Sequence, residues 1–174
     1  MTEAPQYPVG PLAAEDTLAP EKRAELISRV EAAPENLKKA LAGLTVGQLG
    51  TPYKNWNIRQ IAQHLADSHA HCYLRFKYAL TEEAPVVKGY DLDAWNGLPA
   101  SRAGNADAAL ALFEGVHLSW AGVLRSMSPS DFVRTLKRPD GTLSTLDRLL
   151  CVYAWHARHH TGQILWLREQ KGWK

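Results

Sequence analysis

The chain has little cysteine, with only Cys72 and Cys151 among 174 residues. The two lie far apart within helical patterns, so neither a disulfide framework nor a Cys-x-x-Cys motif is present. The first residues, Met1 to Pro5, lack the basic-then-apolar pattern of a secretory signal. We therefore expect a protein of the reducing cytoplasm.

The chain also lacks an excess of charge, long apolar runs and several catalytic motifs. Its net charge is +2, and lysine and arginine form no run. This does not indicate binding to nucleic acid or to an acidic membrane surface. No apolar stretch approaches the roughly 18 residues of a membrane span. Neither a Gly-x-Ser-x-Gly elbow nor a glycine-rich phosphate loop is found, which argues against serine-nucleophile chemistry and phosphate binding.

The remaining pattern is predominantly helical. Residues 1–174 have the length of a single domain, in which the proline-containing residues 1–19 read as an extended N-terminal arm. Amphipathic patterns predict four long helices, at about 20–44, 57–81, 105–127 and 144–171. We expect Pro34 to kink the first or to begin a second helix there. Asp140-Gly141 predicts one small hairpin. The fold class is therefore an all-α four-helix bundle whose long connections can cross it.

The last helix carries two histidines inside its apolar stripe. His156 and His160 are one turn apart, in the middle of a face built from apolar side chains: Leu146, Leu149, Val152, Tyr153, Ile164 and Leu167. Each buried imidazole has two ring nitrogens that need partners. The two rings are either core histidines satisfied by hydrogen bonds or ligands of a metal ion. His159 is rotated by about 60° from His156, which makes it a poorer ligand.

A third imidazole is available on the second long helix. His64 lies in a polar row with Ser68, His71 and Arg75, beside an apolar stripe. If this helix faces the last one, three histidine ligands would leave a coordination position open, as in catalytic sites. His71 is the histidine that could close a structural site as a fourth ligand.

Other polar residues are candidates for supporting roles. Asp67 and Gln163 each lie one turn from a proposed ligand and could orient rings or bound water, although both could be surface residues. The loop from Tyr90 to Trp95 either shapes a pocket or anchors itself to the core.

Several stretches together resemble the DinB-like four-helix metalloproteins, and within them the YfiT-like branch, described as metal-dependent hydrolases. They are Tyr7–Gly10, Thr51–Tyr53, Trp56–His69, Arg75–Lys77, Tyr90-Asp91, Ala94-Trp95, Asp131-Phe132, Tyr153–His160 and Gly172-Trp173. The resemblance places the family's ligands on His64, His156 and His160. It implies one divalent metal per chain, zinc or nickel, a cytoplasmic homodimer and no DNA binding. Gln63 departs from the pattern, where a second histidine is expected.

Three functions remain open at this point. The resemblance implies low-molecular-weight-thiol (bacillithiol-type) S-transfer, since one close relative is regarded as a bacillithiol S-transferase and other branches use other thiols. This function is favoured slightly, because it needs no general base. Arg75 could then receive an anionic group of the thiol. The alternative is a hydrolase with metal-activated water, for which Asp67 is the candidate base. The third is a non-catalytic metal-binding bundle.

Overall fold

The computed structural model describes residues 3–173. Four long helices form the frame, namely α1 Pro20–Leu41, α3 Ile58–Thr81, α6 Ala106–Ser126 and α8 Leu146–Lys171. Between them lie four short helices, α2 Val46–Leu49, α4 Leu92–Asn96, α5 Pro99–Ala103 and α7 Pro129–Phe132, and two antiparallel hairpins, β1 Pro52–Tyr53 with β2 Trp56–Asn57 and β3 Thr135–Lys137 with β4 Leu143–Thr145. The predicted bundle and the Asp-Gly hairpin are confirmed. The first hairpin and the short helices were missed because four or five residues carry little periodic signal.

The order of the helices around the bundle is not the order along the chain. Helix α1 packs against α6 and α8, and α3 packs against the same two helices. Consecutive long helices α1 and α3 therefore occupy opposite corners, as do α6 and α8. The long connections predicted from the sequence make this exchange possible.

Helix α1 runs through Pro34 without a break, so the expectation of a second helix beginning there was wrong. Proline removes the N–H that would bond the carbonyl four residues earlier, which is that of Val30. The helix tolerates this because a side chain from another helix takes up the freed carbonyl, as described below.

Caps fix where α3 and α8 begin. The Asn57 side chain accepts from the backbone N–H of Gln60, and the Gln60 side chain accepts from the N–H of Asn57, which forms the predicted capping box. Thr145 caps α8. Asp147, in the first turn of α8, is fully buried and accepts from the guanidinium of Arg23 and from the backbone N–H of Leu18. This ion pair joins the arm and α1 to α8.

The arm also lies against the middle of α8. Residues 3–19 contain no helix or strand, and residues 1 and 2 of the predicted arm fall outside the described part of the chain. The carbonyl of Gly10 accepts from the indole N–H of Trp155. A Cβ on Gly162 would come within 2.9 Å of Val9 Cγ1, so glycine is what allows the arm to lie this close to α8.

The core is divided into two apolar clusters along the bundle axis. One contains Leu26, Val30, Cys72, Phe76, Trp120, Leu124, Leu150 and Ala154, and the other contains Ala33, Leu37, Ile61, Ala66, Phe113, Ala157 and Ile164. Every long helix contributes to both clusters. The boundary between them is occupied by histidines, namely His69 on α3, His117 on α6 and His156 on α8.

Candidate metal centre

Three histidines meet where α3 and α8 face each other. His64 comes from α3, and His156 and His160 come from successive turns of α8. One ligand nitrogen from each lies within 4.8 Å of the others, and the Nε2 atoms of His64 and His156 are 2.9 Å apart. The structure thus brings together the three residues that the helical pattern and the resemblance selected. The described part of the chain adds no fourth side chain to this group.

The protonation of these rings suits a cation. Burial lowers the pKa of His64 to about 4 and that of His160 to about 3. Burial, followed by the neighbouring histidines, also lowers the pKa of His156 well below its ordinary value. All three rings are therefore neutral at pH 7, and each has a lone pair to donate. Three neutral imidazole nitrogens with room for further ligands fit a divalent metal such as zinc.

Gln163 contacts the Nδ1 side of the His160 ring. Its amide oxygen Oε1 lies 2.8 Å from His160 Nδ1. An amide oxygen only accepts, so Nδ1 carries the proton and Nε2 keeps its lone pair. The amide nitrogen of Gln163 lies 3.1 Å from Nε2 of His159. The His159 ring therefore bonds to Gln163 and is not part of the three-histidine group. Orientation of a ligand ring by Gln163 stays a prediction that this contact supports.

Asp67 and His71 take no part in the group. The Asp67 carboxylate accepts from the Gln63 side chain at 2.9 Å rather than from a ligand ring, and burial raises its pKa. His71 stacks on Tyr90 with ring centroids 4.6 Å apart and an interplanar angle of 12°. Trp95 packs against both rings. These contacts anchor the Tyr90–Trp95 loop to α3, which was one of the two alternatives for it.

Arg75 lies further along α3, against α8 and the loop before α4. Its Nη1 donates to the Tyr153 hydroxyl at 2.9 Å, and Nη2 lies 3.4 Å from the carbonyl of Lys88. Its Nε is buried and has no partner among the described residues. The guanidinium is thus partly engaged by the protein, and its role in substrate binding stays a prediction.

Trp56 covers the histidine group. It belongs to the first hairpin, and its ring stacks on that of His160 with a centroid distance of 5.9 Å and an interplanar angle of 25°. Its centroid is 5.0 Å from that of His64. The indole is half-buried, so it forms an apolar wall beside His64 and His160.

Two buried histidines extend the group into the core. His69 is fully buried and His117 is 1% exposed. His156 Nδ1 lies 3.2 Å from His69 Nε2, and His69 Nδ1 lies 2.9 Å from His117 Nε2. Neither His69 nor His117 was among the site residues predicted from the sequence. The signal that selected His156, an imidazole inside an apolar stripe, was also present at both.

A four-helix bundle with a three-histidine metal-binding group is the class that this fold and site define. A model of the DinB superfamily matches residues 29–164. The Bacillus subtilis protein named "Putative metal-dependent hydrolase YfiT" is 37% identical over 170 residues, which cover 96% of each chain. A Geobacillus thermodenitrificans protein, named "Putative metal-dependent hydrolase", is 37% identical over 172 residues, covering 97% of this chain and 96% of the relative.

A solved structure of YfiT from Bacillus subtilis, described as "a probable metal-dependent hydrolase with an unusual four-helix bundle topology", matches with a TM-score of 0.93. The match covers 97% of this chain and 98% of that chain at 37% sequence identity. The chain belongs to the DinB superfamily and is YfiT-like over nearly its whole length.

None of its helices within residues 3–173 is long and apolar enough to cross a membrane.

Proposed function

We propose that this protein is a metal-dependent hydrolase whose divalent metal, zinc or nickel, is held by His64, His156 and His160. The observation that carries the proposal is the convergence of three neutral imidazoles without a fourth side chain from the described residues. A closed structural site would need that fourth ligand. His71 was the candidate for it, and its ring stacks on Tyr90 instead. This argues against the non-catalytic bundle.

The names of the relatives support hydrolysis over thiol transfer, which the sequence analysis had slightly favoured. His64, His156 and His160 would hold a divalent metal, which would supply polarisation of a substrate carbonyl and a water pKa near 7. The contribution of the chain is to hold three ligand rings in place, two of them on one rigid helix. Trp56 offers an apolar wall for an ester or amide substrate beside His160.

Thiol S-transfer remains a second candidate because of one specific observation. A hydrolase profits from a general base near the metal, and the carboxylate considered for that role, Asp67, accepts from Gln63. Transfer of a low-molecular-weight thiol would need no such base, because a metal held by the three histidines would favour the thiolate form. The unpaired Nε of Arg75 could then receive an anionic group of that thiol.

The first experiment is elemental analysis of the untagged protein and of His160→Ala. We expect about one zinc or nickel per chain in the wild type and its loss in the variant. No metal in the wild type, even after incubation with zinc, nickel and manganese, would remove the basis of both enzymatic proposals.

The metal-loaded protein is then assayed on a panel of esters and amides, and separately with a thiol panel and a bimane electrophile. Metal-dependent hydrolysis without added thiol supports the hydrolase, whereas turnover that requires a thiol supports transfer. The homodimer implied by the resemblance stays a prediction, which light scattering of the same samples tests.

A further inference from the structure

The contacts of His156 continue through the core and end on a backbone carbonyl. His156 Nδ1 meets His69 Nε2, His69 Nδ1 meets His117 Nε2, and His117 Nδ1 lies 2.7 Å from the carbonyl oxygen of Val30. We call these three imidazoles and the carbonyl the histidine relay. It includes one residue from each long helix. Its rings are buried or partly buried, and every contact has hydrogen-bond length.

Pro34 explains why the relay ends on the carbonyl of Val30. In an α-helix the N–H of residue 34 would donate to the carbonyl of Val30. Proline has no N–H, so this buried carbonyl needs another donor. His117 Nδ1 provides it. The proline inside α1, which reads from sequence as a helix breaker, thus removes the helical donor from the carbonyl that His117 bonds.

A carbonyl can only accept, and this fixes the direction of every bond in the relay. His117 must carry its proton on Nδ1, so Nε2 of the neutral ring is an acceptor. His69 must then donate from Nδ1 and accept at Nε2. His156 must in turn donate from Nδ1, which leaves Nε2 without a proton. That Nε2 is the atom facing His64.

From this we propose that His69 and His117 are positioning residues that, together with the Val30 carbonyl freed by Pro34, hold His156 in the one tautomer that can bind the metal. The proposal rests on the metal site assigned under the proposed function. In metal sites, the partner of the second ring nitrogen fixes the tautomer of a ligand histidine. Here that partner, His69, is itself fixed by His117 and the Val30 carbonyl, so all four long helices contribute. His64 is held less firmly, since its Nδ1 has no partner among the described residues.

The direct test is nitrogen-15 NMR of the histidine rings in the metal-free protein at pH 7.5. We expect the Nδ1–H tautomer at His117, His69 and His156. An Nε2–H tautomer at any of the three overturns the proposal. This measurement needs no metal, so it separates failure of the relay from failure of the proposed metal site.

Two variants of His117 measure the effect on metal binding by competition with a chelator. His117→Leu removes the acceptor for His69 and should weaken metal binding by about 10- to 100-fold, the range for lost outer partners of a ligand. In the same variant the His156 ring should show the Nε2–H tautomer. His117→Gln keeps an amide that can donate to Val30 and accept from His69, and should recover most of the affinity.

His71→Leu is the matched control, because it removes an imidazole of the same helix as His69 outside the relay. It should leave metal affinity within about twofold of the wild type. An equal loss in His71→Leu and His117→Leu, or an unchanged affinity in a folded His117→Leu, would overturn the proposal. If His117→Leu does not fold, the wild-type tautomers decide alone.

Discussion

Acidification should unfold the metal-free protein at a mild pH because its core contains neutral histidines. Burial lowers the pKa of His64 and His117 to about 4 and that of His160 to about 3. In the unfolded chain each would titrate near 6.5. Between these values the unfolded state binds more protons than the folded state, so the free energy of unfolding falls as pH falls.

The magnitude follows from the pKa differences. At pH 5 each unfolded histidine has gained about 2 kcal/mol from protonation that the folded protein cannot accept, or about 6 kcal/mol for the three together. Domains have a total stability of about 5–15 kcal/mol. The loss begins below about pH 6.5 and levels off once the folded protein itself is protonated, near pH 4 and below.

Urea denaturation, followed by tryptophan fluorescence after dialysis against a chelator, measures this dependence between pH 7.5 and 5.0. Each group adds a slope of about 1.4 kcal/mol per pH unit within the window. His117→Gln is the control, and it should lower the total slope by the contribution of one histidine, about 1.4 kcal/mol per pH unit. A free energy of unfolding that changes by less than about 1 kcal/mol between pH 7 and 5 would refute the reasoning.

Three further predictions concern the metal, the ion pair of the core and the proline. Chelation should lower the melting temperature by about 5–11 °C relative to protein in free metal at 100 times its dissociation constant. Scanning calorimetry measures this difference, and an unchanged melting temperature would argue against a metal site in the native state. Asp147→Ala leaves the largely buried guanidinium of Arg23 unpaired and should cost about 3–5 kcal/mol in urea denaturation, an estimate contradicted by a loss below about 1 kcal/mol. Pro34→Ala restores an N–H that competes with His117 for the Val30 carbonyl. Metal affinity, measured by chelator competition, should therefore fall, though less than in His117→Leu, while removal of the proline favours the helix. A gain in stability with unchanged metal affinity would show that Pro34 has no effect on the metal site.

Local patterns predicted most of what is local in this fold. Caps and apolar stripes placed the four long helices, and the Asp140-Gly141 pair placed a hairpin. The i,i+4 spacing of His156 and His160 selected the ligand helix. These features depend on neighbours within a few residues, where propensity and periodicity act.

The features that sequence reasoning missed depend on contacts between distant segments. Pro34 reads as a helix breaker unless the partner of the Val30 carbonyl is known, and that partner is 87 residues away. His117 has no ligand-like neighbour on its own helix, and its role emerges only through His69. Asp67 has suitable spacing from His64, yet its carboxylate bonds to Gln63. Spacing along a helix predicts which side chains share a face. Packing against other segments decides which of them form hydrogen bonds.

The arrangement of the helices explains why the relay and the metal-binding group share one layer. Following the contacts, the relay passes from α8 to α3, from α3 to α6 and from α6 to α1, and each step joins two helices that pack side by side. In a bundle whose neighbours followed chain order, α3 and α8 would occupy opposite corners. The crossed order places them together, so His64 can face His156 at the surface end of the layer. Hydrogen bonds within this layer satisfy polar groups that are buried between two apolar clusters. The same bonds leave the Nε2 lone pair of His156 facing His64. Replacing His69 or His117 with leucine would therefore leave a buried polar group unpaired and also allow His156 to adopt its other tautomer.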